Sequence, residues 1–371
     1  MQGIGMNVLA AGLLAGFVSI CLTPVVIRVA HRRGWYDDPS DPRKIHNGKV
    51  PRLGGVAMFW AFLATVTVAS LLSPRGAAES PWGPSYLPFT FSLVLVHLTG
   101  LVDDFRPIRA RFKFLIQSLA AILVISLAFR FRILPTPGGM VELGWLSYPI
   151  SFLWIVGIMN AINMIDGLDG LAGGISIIAA FAYGVIYTKL GLSFPALAAF
   201  ALVGAITGFL VFNFPKAKIF MGDSGSLFLG FLLALLPLLH KSAYPAQAGI
   251  LTAITVVVIP IFDVFAAILR RSRRRQNVMS PDKEHLHHKL LDLGFDGRQI
   301  LGLVYGTCLF LAGVAIAGLY LPQSLQFWAF MGAWLIVLGL FITIHYVWHA
   351  KVPALAVGRD LRIDDEAREI K

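Results

Sequence analysis

The sequence predicts an all-α polytopic membrane protein with about eleven transmembrane helices, its N-terminus outside and its C-terminus cytoplasmic. Three observations carry this. The chain is 57% hydrophobic and only 14% charged, whereas a soluble domain carries about 25% charged residues, so it cannot cover a water-facing surface. Its mean hydropathy is +0.75, and apolar stretches of roughly 18 residues or more, the length that reads as a bilayer-spanning helix, recur from end to end. Finally, its basic residues sort onto one of two alternating sets of loops.

The apolar segments lie at approximately 5–30, 53–72, 86–101, 112–130, 146–163, 171–190, 194–213, 225–240, 247–269, 300–320 and 326–348. The first lacks the basic start of a secretory signal and reads as a membrane helix that stays. The loop set with HRRGWYDDPSDPRKIHNGKVPR, DDFRPIRARFK, FPKAKIF, the stretch 270–298 and the C-terminal tail holds, together with Arg28 at the end of the first segment, 26 of the 31 basic residues; Arg75, Arg130, Arg132, Lys189 and Lys241 make up the other set. Positive loops stay in the cytoplasm, and an odd helix count then puts the N-terminus outside. Of the 20 acidic residues, 18 lie on the same side, all but Glu79 and Glu142. One face carries nearly all the ionisable chemistry, so the net charge of +11 reflects topology and anionic headgroups, not nucleic acid.

Between the fourth and fifth segments, RILPTPGGMVELGWLSYP has Pro-Gly turn signals between short apolar strands, which predicts a small outer hairpin near 133–147. The LHHKLLDLGF of the longest inner loop predicts a short amphipathic helix at the interface. Residues 1–350 read as a single transmembrane domain and 351–371 as a charged, mobile cytoplasmic tail. Cys21 and Cys308 both fall inside apolar segments, so no disulfide framework or C-x-x-C metal site is available.

The polar motifs all fall on the inner face. NAINMIDGLDGLAGG places Asn163, Asp166 and Asp169 three residues apart, on roughly one side of any helical portion. Two unpaired Asp near lipid would cost about 2.5–3.5 kcal/mol each, so a cation is expected beside them; capping of the sixth helix explains one of the three and not all. GLVDDFRPIRARFK carries Asp103 and Asp104, adjacent carboxylates of a kind that attracts a cation or shares a proton, with Lys113 beyond; solvated loop aspartates are common, so this pair alone says little. In KIFMGDSGSLFLGF, Asp223 follows Phe220 and precedes the eighth helix, where free backbone N–H groups suit phosphate oxygens; Ser224 reads as a cap. SPDKEHLHHKL groups His285, His287 and His288, but structural zinc takes four ligands, often Cys, so anion binding suits these imidazoles better. DDPSDPRKIHNGKVPRLGG holds Asp37, Asp38, Arg43, Lys44, His46 and Arg52. Hard carboxylate oxygens without thiolates suit Mg2+ or Mn2+, with Mg2+ held by one or two carboxylates plus substrate phosphates. Such a site at a membrane surface could join a water-soluble phosphorylated molecule to a lipid.

Taken in order, DDP…RKIH…PRLGG, GLVDDF, NAINMIDGLDGLAGG, FMGDSGS and HLHH make the whole chain resemble the polyprenyl-phosphate N-acetylhexosamine-1-phosphate transferases. The resemblance implies eleven helices, a cytoplasmic active site at the plasma membrane, Mg2+ and transfer of HexNAc-1-phosphate from a UDP-sugar to undecaprenyl phosphate with release of UMP. It implies that Asn163 and Asp223 hold the metal, that Phe220 stacks on uracil and that Asp169 contacts the uridine, with Asp166 beside it. Asp103 and Asp104 would engage the lipid phosphate, Lys113 a phosphate, and His285, His287 and His288 the pyrophosphate and sugar. Asp37, Lys44 and His46 join the substrate-binding set. Relatives using UDP-MurNAc-pentapeptide typically carry three consecutive histidines, so HLHH points to a simple UDP-HexNAc, most often UDP-GlcNAc. Dimers are common in the family, but nothing in this sequence specifies an interface.

The expected reaction is attack of the lipid phosphate on the β-phosphorus; a covalent Asp intermediate is the competing scheme. A phosphate monoester has a second pKa of about 6, so Asp103 need not abstract a proton. A transporter would place ionisable residues near mid-membrane and often shows paired repeats; a lipid-pyrophosphate phosphatase would share the carboxylates and Mg2+. Both fit the sequence less well, since the charge gathers at one surface and no repeat is visible.

Overall fold

The computed structural model describes residues 2–36, 50–72, 83, 86–127, 129–239, 249–276 and 284–369, with side chains described from Val8 to Lys351. Asp37, Lys44 and His46, expected at the substrate, lie outside the described residues. The helices are α1 (Gln2–Arg33), α2 (Gly54–Leu72), α3 (Leu87–Phe105), α4 (Ala110–Ser126), α5 (Ser147–Ile165), α6 (Leu171–Lys189), α7 (Ser193–Asn213), α8 (Gly222–Leu235), α9 (Ile250–Val256), α10 (Val258–Arg273), α11 (Leu286–Asp292), α12 (Gly297–Ala317) and α13 (Gln323–Glu369). Strands β1 (Ile133–Thr136) and β2 (Gly139–Glu142) form an antiparallel hairpin that pairs Ile133 with Glu142 and Thr136 with Gly139.

Eight of these helices are long and apolar enough to cross a membrane, or nine if the bent pair α9–α10 is one span. The protein is therefore a multi-pass helical membrane protein. Each of the eleven apolar segments holds helix, but two fall short of an independent span. Helix α4 has 17 residues, and α8 has 14, extended by a 3-10 turn over Leu236–Leu238.

Helix α8 is the axis of the fold. Every residue from Ser224 to Leu235 is buried, as expected of a helix that is apolar all round. Its contacts with α5 climb in steps. Trp154 Nε1 donates to the Ala234 carbonyl at 2.8 Å, and Ser226 Oγ donates to Asn163 Oδ1 at 2.6 Å. Helix α1 lies along α7, where Gly12 and Gly16 face the backbone of Phe200 and Gly204. Ser19 Oγ there donates to the Ala205 carbonyl at 2.6 Å. Small residues of this kind let membrane helices approach closely where lipid supplies no hydrophobic drive.

The pair α9–α10 bends by 82° at Val257. Pro260 is the cause: it lacks an N–H, and its ring crowds the carbonyl four residues back. Beyond the bend α10 buries Asp263, Ala267 and Arg271 on one side and exposes Phe265, Ile268 and Leu269 on the other. The expected short helix in the HLHH stretch is α11. The tail after Lys351, expected as mobile, continues α13 as helix to Glu369.

Candidate active site

The C-terminus of α3 and the N-termini of α4 and α8 meet at one end of the bundle. Pro107 disfavours helix at Arg106, which is extended and closes α3. The chain then turns, and Ile108 N–H donates to Asp103 Oδ1 at 2.6 Å. One turn into α4, Lys113 Nζ lies 2.7 Å from Asp103 Oδ2 and 2.7 Å from Asp223 Oδ2. One ammonium thus bridges carboxylates from two other helices, with all three side chains at most 21% exposed. Arg52 Nη2 approaches the other Asp223 oxygen at 3.6 Å. Asp104 faces α8 instead, accepting the N–H of Asp223 at 2.7 Å and that of Ser224 at 3.0 Å.

The PRLGG stretch reaches the same place by backbone pairing. Phe220 N–H donates to the Pro51 carbonyl at 2.8 Å, and the N–H groups of Gly54 and Gly55 donate to the carbonyls of Phe220 and Met221, each at 2.9 Å. This holds Phe220 and the turn before Asp223 in register with Arg52.

Asn163 and Asp223 lie on facing helices, linked through Ser226, one turn along α8 from Asp223. Below this level Asn160 Nδ2 donates to Gln117 Oε1 at 2.9 Å, joining α5 to α4 one turn from Lys113. In the loop that follows α5, Asp166 sits among the carboxylates of Asp223, Asp104 and Asp169. Removal from water pushes its carboxyl up to about 7; those neighbours add to the effect and Arg52 opposes it. Asp169 Oδ2 accepts the Ala217 N–H at 2.9 Å. Asn213 ties the same loops together, accepting the Gly170 N–H at 3.0 Å and donating to the Ile219 carbonyl at 2.8 Å. Tyr305 of α12 donates to the Gly170 carbonyl at 2.7 Å.

The histidine stretch is anchored by Asp263. This buried carboxylate on α10 accepts His285 Nδ1 at 2.8 Å and the Leu286 N–H at 2.8 Å. His287 stacks parallel to His285, with ring centroids 6.1 Å apart, and lies 4.2 Å from the ring of His288. Burial holds the His287 imidazole down near 3, so it is neutral at physiological pH. It is 2% exposed, and neither ring nitrogen has a hydrogen-bond partner. Its Nε2 rests against Gly167, where any Cβ would collide with it. The expected outcome for Gly167→Ala is a displaced His287 and transfer reduced by about 10-fold or more, near 1.4 kcal/mol. Wild-type turnover in that variant would remove His287 from the working site.

Sequence reasoning singles out Arg52 but does not pair it with Asp223, and it passes over Asp263. A signal existed for Asp263, the one acidic residue within the apolar stretch 247–269, because an ionisable group in such a stretch points to function. Gln117, Asn213 and Ser226 are likewise polar residues inside apolar helices.

Fold and site together define a multi-pass membrane protein whose titratable groups converge at one end of the helix bundle, where charges from separate helices share a lysine. The chain belongs to the family of polyprenyl-phosphate N-acetylglucosaminyl 1-phosphate transferases. The profile of glycosyl transferase family 4 matches residues 86–241. The chain is 35% identical over 302 residues to a probable undecaprenyl-phosphate N-acetylglucosaminyl 1-phosphate transferase of Bacillus subtilis, covering 81% of this chain and 82% of that one. It is 35% identical to the decaprenyl-phosphate N-acetylglucosaminephosphotransferase of Mycobacterium tuberculosis, over 82% and 80% of the two chains. An undecaprenyl-phosphate alpha-N-acetylglucosaminyl 1-phosphate transferase of Yersinia pestis is 31% identical over 84% and 85%.

Proposed function

We propose that the protein transfers GlcNAc-1-phosphate from UDP-GlcNAc to undecaprenyl phosphate at the cytoplasmic face of the plasma membrane, releasing UMP and initiating a cell-envelope polysaccharide. The observation that carries this reading is the Lys113 bridge between Asp103 and Asp223. It gathers anion-binding and cation-binding groups where a lipid headgroup and a nucleotide can meet. An oxygen of the acceptor phosphate forms a bond to the β-phosphorus of the donor. The bond from that phosphorus to the oxygen bridging the α-phosphate breaks, and its electron pair leaves with UMP. Lys113 is placed to stabilise negative charge on the phosphoryl oxygens. Asp103, facing Lys113, is the member of the pair set against the acceptor, which is mostly dianionic already. Phe220 and Asp169 serve the uridine, and His285, His287 and His288 serve the pyrophosphate and sugar.

The residues present fit Mg2+, with Mn2+ as an alternative. Asp223 and Asn163 offer a carboxylate and an amide oxygen on facing helices. Among the described residues no group of three or more His, Cys, Asp or Glu is placed to hold a metal alone, so substrate phosphates would complete the coordination, as is usual for Mg2+. When bound, the ion would neutralise charge on the pyrophosphate.

The test is UMP release from UDP-GlcNAc that requires added polyprenyl phosphate. A phosphatase would give inorganic phosphate and a transporter no product. A panel of UDP-GlcNAc, UDP-GalNAc and UDP-MurNAc-pentapeptide reads the donor, with UDP-GlcNAc expected to be preferred.

A pH dependence follows from Asp166. Its carboxyl is pushed up to about 7, so it is protonated below that pH and ionised above it, and a divalent cation favours the ionised form. Mg2+-dependent donor binding is therefore expected to tighten between about pH 6 and pH 8, and Asp166→Asn to flatten the rise. Equal slopes in the two proteins would reject the assignment.

A further inference from the structure

Asp103 and Asp104 are neighbours in sequence but point about 100° apart around α3, and they meet different partners. Asp103 takes Lys113 and the Ile108 N–H. Asp104 uses one oxygen for the N–H of Asp223 and the other for that of Ser224. Those N–H groups belong to the first turn of α8, which has no partner for them within the helix. Met221, at the cap position, supplies no side-chain cap. Asp104 therefore caps α8 from another helix, where a negative charge also suits the helix dipole.

The rest of α3 grips the same two residues from their carbonyl side. Gly100, one turn before Asp104, lies against the Asp223 carbonyl with no room for a Cβ. His97, a turn further back, places Nδ1 3.1 Å from the Ser224 carbonyl and stacks on Phe59 at 4.0 Å. Gly222 turns with φ of +71° in a spot where a Cβ would collide with the Arg52 carbonyl and sit 2.6 and 2.7 Å from the two Asp104 carboxylate oxygens.

We propose that Asp104 is a positioning residue: it fixes the backbone of Asp223 and so sets the Asp223 carboxylate for the Mg2+–nucleotide, and it does not itself engage the acceptor phosphate. The two adjacent aspartates then divide the work, Asp103 on the acceptor side and Asp104 on the donor side through α8. This rests on the reading of Asp223 as the donor's metal-binding carboxylate.

The test is equilibrium binding of UDP-GlcNAc with Mg2+ to the full-length protein in detergent, without acceptor. Asp104→Asn keeps one acceptor oxygen for one of the two N–H groups, so donor binding is expected to weaken about 10-fold, near 1.4 kcal/mol, with a higher Mg2+ requirement. Asp104→Ala, which keeps none, is expected to lose more. Gly100→Ala leaves Asp104 unchanged but presses a methyl group on the Asp223–Ser224 peptide that Asp104 holds from the other side, and is expected to reproduce the binding loss even if the Asp104 variants fail to fold. Wild-type donor affinity and Mg2+ requirement in Asp104→Asn, with transfer still lost in the presence of acceptor, would overturn the proposal; so would wild-type donor binding in Gly100→Ala. If the wild-type protein binds no UDP-GlcNAc with Mg2+, the donor reading of Asp223 falls, and this inference falls with it.

Discussion

Asp223→Asn is expected to lower transfer at least about 100-fold, equivalent to ~2.7 kcal/mol of transition-state stabilisation, without unfolding the protein. Asp223 receives Lys113 on one oxygen and Arg52 on the other, and it opens the helix at the centre of the bundle. An amide keeps nearly the same shape, but it carries no charge for a divalent ion and presents two donor hydrogens where an acceptor stood. Folding survives because Lys113 keeps Asp103 at 2.7 Å and the backbone of residue 223 keeps its bond to Asp104. Transfer and thermal melting of the purified variant check both halves. Retention of more than about a tenth of wild-type turnover, a loss under ~1.4 kcal/mol, would remove Asp223 from the metal site.

Lys113→Met is expected to be the most damaging single change, because it removes a phosphate-stabilising charge and an ion-pair partner together. The oxygens of Asp103 and Asp223 that share its ammonium would face each other uncompensated. Removing one partner from a buried ion pair costs about 3–5 kcal/mol, and this site, 10–21% exposed, lies near that regime. Transfer should fall by at least about 100-fold and the melting temperature should drop. Adding Asp103→Asn to Lys113→Met should restore part of the stability, since it relieves the repulsion, while leaving transfer low. A double variant no more stable than Lys113→Met alone would show that the repulsion was not the cause.

Much of this site was legible in the chain before any coordinates. Asn163, Asp166 and Asp169 stand out because charged or amide groups beside lipid are costly and must find partners, and Asp223 because it opens a helix, whereas Asp103 and Lys113 are marked by the family resemblance; the structure brings them to one end of the bundle. The hairpin between Ile133 and Glu142 was legible from its Pro-Gly turn. The break at Val257 had a signal in Pro260 that the hydropathy of 247–269 obscured. Asp263 was hidden in the same way, read as part of a span when it is the anchor of His285. Helix α13 continues past Lys351 to Glu369, a length of helix that the charge content of 351–371 does not indicate.

What the sequence by itself determined is the solvent each segment prefers and the kinds of atoms available. Hydropathy summed over a span marks which stretches form apolar helices, and the motifs supply the carboxylate, amide, ammonium and imidazole groups available to a site. Only the tertiary structure decided which group meets which. That Asp104 caps the helix of Asp223, 119 residues away, while its neighbour Asp103 takes Lys113, depends on side-chain direction around α3 and on how close α8 can come. Both are set by packing between distant segments, through small residues such as Gly100 that let backbones touch, and no local pattern in the chain records such relations.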